Sequence, residues 1–214
     1  SLMQNDVITC DSNSEIGAIS VFTKKKFSID LNDFSVLNRG AISMASDELL
    51  IKNGTIIQNS LSSGEININL NETKTENLKL EIAPENNAAY KVQSSNINLK
   101  SLDIKSGNLI FDNVIANINS VISNESALNS EFSLLNSELN LYSGFDIRTL
   151  NQFTSNRSSA INVNSSLEDF DFDFGNKSLT IPVNVSNSIV NLFSNESTFM
   201  QVSILESDLN IIDD

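Results

Sequence analysis

Histidine and tryptophan are absent from this chain, and cysteine occurs once, at Cys10. Without histidine there is no Ser-His-Asp or Cys-His catalysis, the commonest general base is missing, and most zinc sites are excluded. A single cysteine forbids an internal disulfide and any cysteine-based metal cluster. Two tyrosines, Tyr90 and Tyr142, are a thin supply for the aromatic platforms that stack on sugar rings. Basic residues are also scarce, 13 against 27 acidic, for a net charge of −14. The clustered cations that phosphate binding requires are missing, so neither a nucleic acid nor an anionic membrane is expected as partner. The one basic run, Lys24-Lys25-Lys26, reads as a solvated turn. No stretch approaches the ~20 apolar residues of a membrane span, and no signal peptide is present. The residues before Cys10 are too few and too polar for a lipoprotein signal. The chain opens at Ser1-Leu2 and reads as a fragment of a larger secreted product, any export signal or anchor lying outside it.

Glycine (7) and proline (2) are few for a protein that must turn often. What is there instead is asparagine and serine, 32 and 34 residues, nearly a third of the chain. Asparagine tolerates the left-handed conformation better than other non-glycine residues, so it is the natural occupant of the turns. Helix periodicity fails after about two turns everywhere. Short alternating segments are everywhere: "FSIDL", "EININL", "LKLEI", "ELNLYSGFDI", "DFDFDF", "LTIPVNV". The chain is all-β.

A tripeptide of the form apolar–Asn–apolar recurs at Ile97-Asn98-Leu99, Leu139-Asn140-Leu141, Ile161-Asn162-Val163, Val183-Asn184-Val185 and Leu209-Asn210-Ile211. A degenerate copy, Ile118-Asn119-Ser120, falls in the gap, and further copies near 66–70 and 190–192 lie off the register. The spacing is close to 22 residues. That is the signature of a parallel β-helix (β-solenoid), in which each turn of chain stacks on the last at about 4.8 Å and alternate residues fill a continuous core. Ten such rungs make a rod some 45 Å long. The alternative is a β-sandwich or jelly roll, against which stand the repeated tripeptide and the single "NG" turn at Asn53-Gly54. The reading is one solenoid domain over 1–214, less regular over 1–90 and more regular over 91–214. In each tripeptide the asparagine faces out where its neighbours face in. Asn98, Asn140, Asn162, Asn184 and Asn210 are therefore predicted to form an outward file able to bind ligand hydroxyls through their amide dipoles.

The most pointed local feature is "LEDFDFDFGNKS". On a strand Asp169, Asp171 and Asp173 share one face, ~6.5–7 Å apart, with Phe170, Phe172 and Phe174 on the other. The carboxylates are candidate Ca2+ ligands, although Gly175 and Thr180 do not fit an EF-hand loop. Arg148 and Arg157 are the cations nearest in sequence. An acidic, cysteine-poor, repetitive β chain is similar in general character to the passengers of bacterial adhesins and autotransporters. The expected function is accordingly non-enzymatic: an extracellular or cell-surface segment that binds a host or surface glycan or protein. Its open ends allow self-association. The alternatives are a polysaccharide-degrading β-helix enzyme or phage tail-spike domain, and a calcium-assisted carbohydrate-binding sandwich.

Overall fold

A computed structural model of the chain describes residues 6–22, 27–45, 49–60, 64–69, 74–84, 88–93, 96–156, 158–166, 169–175, 182–194 and 201–212. The chain winds as a parallel β-solenoid. The first turn is β1 (Asp6–Thr9), β2 (Ser14–Ile16) and β3 (Ile19–Phe22), and the second is β4 (Phe27–Asp30), β5 (Ser35–Asn38) and β6 (Ile42–Ala45). In the next turns one long strand bends to form two walls: β7 (Leu49–Gln58), β9 (Lys74–Ile82), β11 (Ile97–Ile104), β13 (Ile115–Ser123) and β15 (Glu138–Asp146). A short strand closes the third wall each time: β8 (Gly64–Asn69), β10 (Ala88–Gln93), β12 (Asn108–Asp112), β14 (Glu131–Leu135) and β16 (Gln152–Ser155). The last turns run β17 (Ala160–Val163) to β18 (Asp169–Gly175), β19 (Pro182–Ser186) to β20 (Ile189–Ser194), and β21 (Gln201–Leu205) to β22 (Asp208–Ile212).

Every recorded pairing is parallel, and one unbroken path of neighbours runs β1-β4-β7-β9-β11-β13-β15-β17-β19-β21 along the first wall. The third wall is a seven-stranded sheet, one strand for each of seven complete turns. Parallel pairing without hairpins excludes the sandwich. The alternation predicted for the strands holds: Ile97, Leu99, Leu102, Ile104, Leu109 and Phe111 all point into a single core. Towards the later turns that core becomes aromatic, with Phe132 edge-on to Phe111 (5.2 Å) and to Phe153 (5.7 Å), and Phe172 stacked on Phe145 (5.1 Å).

The corners explain the composition. Among the described residues, six of the nine non-glycine residues at positive φ are asparagine. Asn32, Asn53, Asn77 and Asn187 turn the chain from the first wall to the second, while Asn113 and Asn136 turn it from the third wall to the first. Serine has its own corner role, which the sequence reading had not assigned. Ser137, Ser188 and Ser207 each follow a left-handed residue, and each Oγ–H donates to the carbonyl two residues back (2.7–2.8 Å). Each of these hydroxyls also accepts a backbone N–H from the turn before, from Val114, Ser165 and Ser188 respectively. The hydroxyl thus satisfies two backbone groups at a bend that the ladder cannot reach.

Candidate functional site

The predicted asparagine file exists on the first wall as a hydrogen-bonded ladder. Asn117 Nδ2 donates to Asn98 Oδ1 (2.8 Å), Asn140 to Asn117 (3.1 Å), Asn162 to Asn140 (2.8 Å) and Asn184 to Asn162 (2.7 Å). The flanking apolar residues anchor it. Ile97 and Leu99, Leu139 and Leu141, and Ile161 and Val163 are buried, which fixes the side chain between them outward. Each rung bond uses one N–H and one lone pair of a group that has two of each.

Two members differ from the expectation. The fifth asparagine of the ladder is Asn117, in register with Asn98 and Asn140, not the neighbouring Asn119. The sequence steps along the ladder are 19, 23, 22 and 22 residues. A uniform step of 21 lands two residues late because the short turn is followed by a long one. That long turn holds a 3-10 segment, Glu125–Asn129. Ala116-Asn117-Ile118 carries the readable signal once alanine is counted as apolar. Asn210 is placed elsewhere. It pairs with Asn191 on the second wall, where a separate file runs Asn210 to Asn191 (3.1 Å) to Asp171 (3.2 Å). The off-register copy at Val190-Asn191-Leu192 belongs to that file. In the early turns the ladder column changes chemistry to Thr9, Asp30, Lys52 and Glu76, with Lys52 paired to Asp30 (3.4 Å). The Asp30 carboxyl is held below its ordinary range, chiefly by the Asn32 backbone N–H. This is why "SIDLN" reads as only an echo of the repeat.

On β18, Phe170, Phe172 and Phe174 fill the core while Asp169 and Asp171 are exposed, as alternation requires. Asp173 is different: it is 7% exposed, accepts the Gly175 N–H (2.9 Å) and pairs with Arg148 (3.4 Å). Arg148 also reaches Asp146 (3.2 Å), the residue in register with Asp173 on the turn before. Arg148, one of the two cations nearest the acidic strand in sequence, thus pairs with it, whereas Arg157, Thr180 and the lysine run at 24–26 lie outside the described residues. Among the described residues no group of three or more His, Cys, Asp or Glu is arranged to hold a metal ion. The second wall carries one further charged set, with Lys105 paired to Glu81 (2.8 Å) beside Asp103. Burial raises the Asp103 carboxyl above its ordinary value, and its Oδ1 is buried without a hydrogen-bond partner.

A feature the sequence reading missed is a shallow groove of about 660 Å³ beside the ladder. It arises where two regularities fail. Between β9 and β11 the recorded strand pairing covers only Ser101–Ile104, and upstream the Thr75 hydroxyl accepts the Asn98 N–H (3.0 Å) and donates to the Asn98 carbonyl. Two turns on, Asn119 of β13 faces two residues of β15, Tyr142 and Ser143. Tyr142 faces outward after the buried Leu141, and the bulge sets Ser143 outward beside it. The ring is 39% exposed, and its hydroxyl donates to Asn117 Oδ1 (3.3 Å), so the phenol is tethered to the ladder. Asn98, Asn119, Lys100 and Glu76 complete the lining, and a second hollow of about 200 Å³ continues the trough past Asn77 and Lys100 to Lys79 and Asp33.

No protein-family model, curated protein or solved structure matches the chain.

Proposed function

We propose that this chain is a non-enzymatic, ligand-binding segment of an extracellular β-solenoid of the bacterial adhesin or autotransporter-passenger kind. The observation that carries the reading is the ladder wall. Asparagine carboxamides at successive turns from Asn98 to Asn184 are held at fixed spacing by their own hydrogen bonds, on the outer face of a rigid sheet. A preorganised array of amide donors and acceptors engages hydroxyl-rich or peptide ligands with little further loss of side-chain freedom. The absence of histidine and the single cysteine suit a durable rod folded without disulfides. No helix among the described residues is long and apolar enough to cross a membrane.

The enzyme alternative rests on Asp146, Asp173 and Arg148. Asp173 there is already occupied by Arg148 and by a backbone N–H, an arrangement that favours a structural ion pair over acid–base chemistry. The test is binding of the purified chain to a broad panel of immobilised glycans and extracellular-matrix proteins, in calcium and again in chelator, with product analysis of any polysaccharide bound. Binding without turnover is expected. Loss with chelator would make the exposed Asp169 and Asp171, with the buried Asp173 beside them, a calcium site. Cleavage of a bound polysaccharide would replace the reading with the enzyme one.

A further inference from the structure

Resting on that reading, we infer that the trough between the Asn77 corner and Tyr142 is a binding subsite for a neutral oligosaccharide. Four independent features converge there.

The first is an aromatic ring presented to solvent. Of the two tyrosines, Tyr90 is fully buried with its hydroxyl accepting the Ser60 N–H (2.7 Å), whereas Tyr142 stands on a bulge. Burying a ring gains apolar contact, so leaving one exposed on a conspicuous bulge forgoes stability and creates a platform for a pyranose face. The second is preorganisation. The Tyr142 hydroxyl is anchored on Asn117 Oδ1, which also accepts the Asn140 carboxamide, so the ring is fixed by the ladder itself.

The third is polar convergence. Asn77, Asn98 and Asn119 bring carboxamides from three successive turns to one trough, each with donor and acceptor capacity suited to vicinal hydroxyls. The fourth is charge. The chain carries −14, yet the two joined hollows are lined by two acids, Asp33 and Glu76, and two bases, Lys79 and Lys100. A locally balanced trough within an acidic surface favours an uncharged ligand, because an anionic polysaccharide meets the repulsion of the whole molecule. From Asn77 to Tyr142 the trough crosses three turn-to-turn steps, roughly 14 Å at strand spacing. That is the length of a short oligosaccharide.

Tyr142 also supplies the readout, since the chain has no tryptophan and its other tyrosine is buried. Soluble neutral oligosaccharides (β-1,4-linked glucose and N-acetylglucosamine, galactose and mannose oligomers) would be titrated against the intact chain, with oligogalacturonate as the acidic comparison. Acrylamide quenching of the tyrosine emission and calorimetry would be followed together. The expected result is that a neutral oligosaccharide binds and shields Tyr142 from acrylamide. Tyr142→Ala then weakens binding about tenfold or more, Tyr142→Phe by only a few-fold, and Leu128→Ala, at an exposed residue of the 3-10 segment, leaves it unchanged. Circular dichroism of each variant checks that the fold survives. A neutral glycan bound with unchanged affinity by Tyr142→Ala overturns the subsite and leaves the surface-binding reading standing. Binding of the acidic oligomer alone, or of a protein ligand and no glycan, does the same. Failure to bind any glycan or matrix protein overturns both.

Discussion

Asparagine fills two unrelated jobs here, and single substitutions separate them. At a corner the residue is chosen for φ. Asn187 has φ 49°, so Asn187→Ala should lower the unfolding free energy by about 1–2 kcal/mol in urea denaturation while Asn187→Gly stays near the parent. Equal loss in both variants would show that the side chain, not the backbone, is what matters there. On the wall the residue is chosen for its carboxamide, and the sequence reveals that choice because buried aliphatics bracket it. The corner role was readable only as a surplus, since no local pattern marks which asparagine adopts positive φ. Ser137 shows the same limit from the other side. It is nearly fully buried, and its hydroxyl is chosen to serve Val114 and Leu135, groups that are neighbours only after folding. Asp103 supplies a pH test. Because burial raises its pKa, the folded state holds the proton more tightly than the unfolded chain does. Stability should then fall as pH rises from the ordinary 3.8 through the raised value. Asp103→Asn should melt higher than the parent at neutral pH, with the difference vanishing below about pH 3. A variant that melts lower at neutral pH would mean that the Lys105 attraction outweighs the burial penalty.

At the scale of the strand, regularity follows from the core and irregularity from the turns between walls. The alternation in β11, β12 and β18 was legible because one face meets only aliphatic or aromatic neighbours. The step length was not, since a 3-10 segment adds residues without disturbing the strands on either side, and a short turn followed by the long one that holds it places the ladder at Asn117 instead of Asn119. For the same reason Asn210 was assigned to the wrong wall: its tripeptide matches, but its turn number does not fix which wall it faces. The Tyr142 groove stayed hidden because it is made by failed pairing, which periodicity cannot show. Phe132 tests how tightly the turns depend on one another. It is fully buried between Phe111 and Phe153, so Phe132→Ala should cost about 3–5 kcal/mol, read as a shift of the urea midpoint. A loss under 1 kcal/mol would mean that the adjacent turns collapse into the space.

Taken whole, the molecule is a stack whose stability is a sum over neighbouring turns, carried by an acidic chain. With 27 acids against 13 bases, self-repulsion opposes the compact state, so added salt should raise the melting temperature. A fall on going from low to moderate salt would give the ion pairs, Lys105–Glu81 and Lys91–Asp112 among them, a larger share than solvent-exposed pairs usually hold. The end turns remain apolar in part. Val7 and Ile8 of β1 and Ile204 and Leu205 of β21 are exposed. Ligand is expected to meet the ladder wall and not an end or the acidic strand. The most direct test is side-chain amide NMR of the assigned chain while a glycan hit is titrated in. The Nδ2 signals of Asn98, Asn117 and Asn119 are expected to move first and together. Shifts confined to β18 or to the end strands would contradict this.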